Sequence, residues 1–181
     1  MIARTIVIAV RVILPLSIFR WPLVGGIASM IVDAVDVILV DIIANLIGEE
    51  PGFGSNYQEI DKPLDLYYLT FEFIVSLRWA TLARNTSIAL FALRVFGMIA
   101  FTLTGARILL FIFPNLFENW YLYYLITVRW YPRLVPANAR QLAIVLVALY
   151  IPKIAQEYVL HFAEFKPWST FKDTFLTLRV R

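Results

Sequence analysis

Three aspartates, Asp33, Asp36 and Asp41, interrupt the apolar run MIVDAVDVILVD at residues 30 to 41, and a second acidic series follows at Asp61, Asp65 and Glu72. Carboxylates at such spacing can bind a proton or a cation, hold a divalent metal, serve as a general base, or neutralise arginines and lysines. Which of these applies depends on the elements that position them.

The setting is unusually apolar. The chain has 181 residues, of which 61% are hydrophobic and 16% charged, and its mean hydropathy is +0.76. Soluble domains run at about a quarter charged and under half apolar. The composition therefore predicts an all-α, polytopic integral membrane bundle of five or six transmembrane helices, in a bacterial-type cytoplasmic membrane with the lipid bilayer as its solvent. With no cysteine, disulfides and thiolate metal sites are excluded, and a lone histidine, His161, cannot build a multi-histidine centre. A net charge of +3, scattered along the chain, argues against nucleic acid as a partner.

Prolines and polar residues divide the chain into six candidate segments: 5–19, 23–47, 64–80, 87–113, 117–131 and 140–165. Arg11 interrupts the first apolar run and no small-residue cleavage site follows, so that run is expected to be a retained helix rather than a signal peptide. Pro15 and Pro152 fall inside segments and should kink them. Residues 1–165 read as one transmembrane domain. Residues 166–181 read as a basic amphipathic tail, an interfacial helix with Trp168, Phe171, Phe175 and Leu178 on one stripe. The positive-inside rule places the loops carrying Arg20, Arg78, Arg84, Arg129, Arg133 and Arg140 in the cytoplasm, whereas attraction of the basic tail to anionic cytoplasmic lipid argues for the opposite orientation; the loops are favoured.

Helical geometry then locates the acids. At about 100° per residue, Gly25, Gly26, Ser29, Asp33 and Asp36 share one stripe, with small residues that admit a neighbouring helix. Asp61, Asp65, Tyr68, Glu72 and Ser76 form a second stripe. Asp33, Asp36, Glu72, Arg11 and Lys153 are expected near the midplane, with Arg94 and Arg107 nearby on the fourth segment. A lone charge at that depth costs about 2.5–3.5 kcal/mol, so these groups must be paired, protonated or hydrated. Glu118, Asn119 and Asn115 read as caps at the start of the fifth segment, and the tyrosines that follow read mainly as an interfacial belt.

Three readings follow. The first is an ion, proton or small polar solute site, for binding or transport, built from Asp33, Asp36, Asp65, Glu72, Arg11, Arg94, Arg107 and Lys153. The second is a salt-bridge scaffold in a structural or accessory subunit, as a homo-oligomer or within a larger membrane complex. The third starts from Asp33-x-x-Asp36 and Asp61-x-x-x-Asp65, which together resemble part of the motif of the CDP-alcohol phosphatidyltransferases, D-x-x-D-G-x-x-A-R-x(8)-G-x-x-x-D-x-x-x-D. That resemblance implies a metal-dependent intramembrane lipid phosphotransferase, with Asp33, Asp36, Asp61 and Asp65 holding Mg²⁺ or Mn²⁺ against a diphosphate. The chain departs from the motif at Val37, at Val40–Asp41 and at Tyr57, and its acidic pairs stand seven residues further apart. No cofactor is expected outside this third reading, and a non-enzymatic role is favoured.

Overall fold

The computed structural model describes residues 2–50, 52, 57–106 and 108–157. Among them every regular element is a helix and none is a strand. Helix α1 spans Ile2–Ile13 and tightens into a 3-10 stretch at Leu14–Phe19. The change falls at Pro15, which lacks the N–H that would bond back to Arg11 and so breaks the α-helical ladder one turn after that arginine. Helix α2, Pro22–Ile47, starts with proline, whose missing donor costs nothing in a first turn, and stops at Gly48 in the left-handed conformation, φ 73°.

Helix α3 spans Tyr57–Ser76 and runs through Pro63. The expected boundary at residue 64 is therefore corrected: one absent hydrogen bond has not stopped the helix. Asp61 and Asp65 accordingly stand one turn apart on a single helix, as the shared stripe requires. Helix α4, Thr81–Thr104, starts earlier and ends sooner than the expected 87–113. Gly105, at φ 67°, turns its N–H onto the Phe101 carbonyl at 2.8 Å and ends the helix inside what reads as one apolar run. Helix α5, Ile108–Ile112, follows; α6 is Leu116–Trp130, and a short 3-10 turn at Pro132–Leu134 leads to α7, Ala139–Glu157, which continues past Pro152.

Among the described residues the helices pack through three apolar clusters. Ala3 and Val7 of α1 meet Val40 and Ala44 of α2. Ile18, Tyr68, Leu69, Phe117 and Tyr121 fill the centre. Ala83, Trp120 and Tyr124 tie α4 to α6, with the Trp79 ring 4.2 Å from that of Tyr124. The small-residue stripe of α2 faces protein, as its spacing requires. A Cβ on Gly25 would lie 2.7 Å from the Ile18 backbone nitrogen, and one on Gly26 would lie 2.9 Å from Glu72 Oε1.

The outer surface carries large apolar side chains, including Leu46 and Leu103 at 80% exposure and Val24 at 67%. Among the described residues two helical stretches, Ile2–Phe19 and Thr81–Thr104, are long and apolar enough to cross a membrane. This is fewer than the five or six expected from composition. The amphipathic tail at 166–181, Arg107 and His161 lie outside the described residues.

Candidate functional site

Arg11 is the hub of the polar interior. Its side chain is 4% exposed, and its guanidinium is bound to four carboxylates. Nη1 donates to Asp36 and, at 2.9 Å, to Asp61; Nη2 donates to Asp33 and, at 2.9 Å, to Asp65. A planar guanidinium can serve four acceptors because its donors fan out in one plane, which a lysine ammonium cannot match. The clasp joins α1, α2 and α3, elements that contribute one, two and two residues to it.

Each position follows from local sequence. Arg11 sits in the last turn of α1, held there by the Pro15 break. Asp33 and Asp36 are three apart on α2, and Asp61 and Asp65 four apart on α3, so each pair lies on one helix face. The acids are not equivalent. Asp36 is 2% exposed, and its second oxygen accepts the Val37 N–H at 2.6 Å, so both its oxygens are engaged. Asp33, Asp61 and Asp65 are 25%, 19% and 16% exposed. Each of these three can offer one oxygen to a shared point, and those oxygens lie within 4.8 Å of one another. Opposed oxygens around a Ca²⁺ at about 2.4 Å are about 4.8 Å apart, and around Mg²⁺ somewhat less, so the trio fits a divalent cation with little movement.

Beside the clasp lies a cavity of about 10 Å³, lined in part by Arg11, Ser29, Asp33 and Tyr68. It has room for one water molecule. The Ser29 hydroxyl is buried there without a hydrogen-bond partner.

Tyr68 leads from this cavity to a second polar centre. Its hydroxyl donates to Glu118 Oε1 at 2.6 Å, and Asn115 Nδ2 donates to Glu118 Oε2 at 3.3 Å. Glu118 is 7% exposed, with Arg94 and Lys153 close enough to act on it electrostatically. Glu72 is completely buried within range of Glu118, and neither of its oxygens has a hydrogen-bond partner.

The eight residues expected to share one centre are thus divided. Arg11, Asp33, Asp36 and Asp65 meet, and Asp61 joins them. Glu72, Arg94 and Lys153 belong to the second centre, while Arg107 lies outside the described residues. Of the three residues expected to cap α6, Asn115 occupies the cap position, with no side-chain cap bond, while Glu118 turns inward. Its charge inside an aromatic segment was the available signal. Of the tyrosines, Tyr121 is buried and donates to the Pro22 carbonyl at 3.2 Å, so it ties helices together instead of lining an interface.

A third contact closes the loop after α2. Glu49 accepts the Ile2 and Ala3 N–H groups at 2.9 and 3.1 Å, satisfying donors at the start of α1. The positive amino group at the chain's start, then these two amides, hold the Glu49 carboxyl at about 2, below its usual 4.5.

Compared with known protein families, curated proteins and solved structures, the chain matches none.

Proposed function

We propose that the protein is a multipass integral membrane protein with a cation-binding centre inside the bundle, at Asp33, Asp61 and Asp65, serving binding or transport of an ion, proton or small polar cation. Arg11 is the resident counter-ion and Asp36 its anchor. The observation that carries the reading is the imbalance of the clasp: four carboxylates converge on one guanidinium. Fully ionised, they exceed that guanidinium by three negative charges, in a setting where one unpaired charge costs about 2.5–3.5 kcal/mol. A cation or protons must offset that charge, and the three partly exposed acids are the ones able to receive them. The exposed apolar side chains around the bundle support the membrane setting.

A second reading, an intramembrane lipid phosphotransferase, is favoured by one specific observation. Asp33 and Asp36 meet Asp61 and Asp65 in space, as metal chemistry of the CDP-alcohol phosphatidyltransferase kind requires. It ranks second because Val37 and Tyr57 stand where that motif has glycines, which would let a diphosphate approach the backbone.

The test is thermal stability of the detergent-solubilised chain with EDTA, Na⁺, Ca²⁺, Mg²⁺ and Mn²⁺. Stabilisation by one ion, lost in D65N and D33N, supports the site. Ion-independent stability in the parent and both variants would leave the clasp as a scaffold. Metal-dependent transfer of the phosphatidyl group from a CDP-lipid to an added alcohol, with release of CMP, would promote the second reading.

A further inference from the structure

A groove of about 660 Å³ runs between α3 and α4, lined chiefly by Leu66, Val95, Met98, Ile99 and Leu103, with Lys62 among them. Its size lies within the usual range for ligand sites, about 300–1,000 Å³. Lys62 and Leu66 follow Asp61 and Asp65 by one residue, so they look about 100° further round α3, away from the arginine clasp. The two helices run antiparallel through the turn at residues 77–80. Lys62, early in α3, is therefore level with the last turns of α4, and its Nζ stands 5.3 Å from the Phe101 ring centroid. Val95 marks the deep end, about 13 Å along α4 from Thr104 at 1.5 Å per residue.

Among the described lining residues Lys62 alone is charged, and none is acidic. Asp61, its neighbour in sequence, faces Arg11 at 2.9 Å on a different side of α3. Among the described residues the groove is thus an apolar trough with one cation at one end, on a face where Ile99 and Leu103 are 53% and 80% exposed. A lysine so placed lays its stem on apolar surface and lifts its ammonium toward a headgroup.

We propose that this groove binds one anionic phospholipid, an acyl chain lying against Met98, Ile99 and Leu103 and the phosphate held by the Lys62 ammonium. The inference rests on the membrane reading but not on cation binding, since the two sites occupy different faces of α3.

The experiment uses the full chain in detergent, titrated with phosphatidylglycerol or phosphatidylcholine, with bound lipid counted by native mass spectrometry and stability followed by melting. The parent chain is expected to retain one phosphatidylglycerol in preference to phosphatidylcholine. K62Q should weaken that preference about fivefold, the factor one lysine contributes at an anionic lipid surface. L103W, at an exposed lining position, should displace both lipids while leaving the fold intact. D65N, in the aspartate centre, should retain the lipid. Equal retention of the two lipids by the parent chain, or an unchanged preference in K62Q, overturns the proposal. A chain that stays soluble and monodisperse without detergent and takes up neither lipid overturns the membrane reading with it.

Discussion

Arg11 and Asp36, 25 residues apart in sequence, form an enclosed ion pair, with side-chain exposures of 4% and 2%. Asp36 also accepts the Val37 N–H at 2.6 Å, so the guanidinium is fixed to the α2 backbone through one carboxylate. Around that fixed pair, Asp33, Asp61 and Asp65 keep partial exposure. The division separates an anchoring acid from three acids available to a ligand.

Removing the guanidinium should be costly for this reason. R11Q leaves four carboxylates facing one another, and loss of one partner of a buried pair typically costs about 3–5 kcal/mol. R11K restores the charge but not the planar fan of donors, and should recover only part of the loss. If the centre takes a cation, millimolar Ca²⁺ or Mg²⁺ should raise the melting temperature of R11Q more than that of the parent chain. An R11Q variant that melts like the parent would remove Arg11 from the organising role.

Neutralising the ligand acids should have the opposite sign. D33N and D65N each reduce the excess negative charge, so in EDTA they should be as stable as the parent or more so. They should lose the response to ion, which for the parent at about 100 times the dissociation constant amounts to about 2.7 kcal/mol. D36N breaks the anchor and should destabilise the fold with or without ion. Melting curves for the three variants, in EDTA and at saturating ion, separate these roles. Equal behaviour of D36N and D65N would argue against the division.

Much of this arrangement can be read from sequence, and what cannot has identifiable causes. Residues 23–47 and 117–131 foretell α2 and α6 to within a residue, because proline or polar residues bracket each apolar run. The shared faces of Asp33 with Asp36, and of Asp61 with Asp65, follow from helical periodicity alone. The start of α3 does not, because Pro63 reads as punctuation but sits inside the helix. Nor does the break at Gly105, whose left-handed φ matters only once the chain has turned. Glu118 is misread because its sequence neighbours, Asn115 and Asn119, suit a helix start. Its actual partner, Tyr68, is 50 residues away, and periodicity carries no information about such a contact.

The Glu49 latch makes a prediction about acid. The folded carboxyl, at about 2, lies below its usual 4.5. Its contribution is therefore fully present above about pH 4.5 and is lost as pH falls toward 2, as protonation removes the negative charge that strengthens its bonds to the Ile2 and Ala3 amides. E49Q should flatten that part of the stability–pH profile and leave the profile at neutral pH parallel to the parent's. Melting from pH 7 down to pH 2 reads the difference. Coincident acid limbs in the two chains would show that the latch does not contribute.

Close approach of α2 to its neighbours gives the last prediction, and it turns on what each added methyl group would strike. At Gly25 the new Cβ would lie 2.7 Å from the Ile18 backbone nitrogen and 2.8 Å from its Cα, atoms that cannot move without displacing the 3-10 stretch after α1. That stretch follows directly on the turn that positions Arg11, so G25A should loosen the clasp as well as the packing. At Gly26 the nearest atom is Glu72 Oε1, at 2.9 Å, the far end of a flexible side chain, although Tyr121 Cε1 at 3.0 Å limits the escape. Overpacking typically costs about 1–3 kcal/mol; G25A should fall at the upper end of that range and G26A at the lower. G25A should also weaken the ion response, because the three ligand acids are gathered around the displaced arginine, whereas G26A should leave it unchanged. A G25A chain with parental stability and ion response would mean that α2 can withdraw from the 3-10 stretch without disturbing the centre.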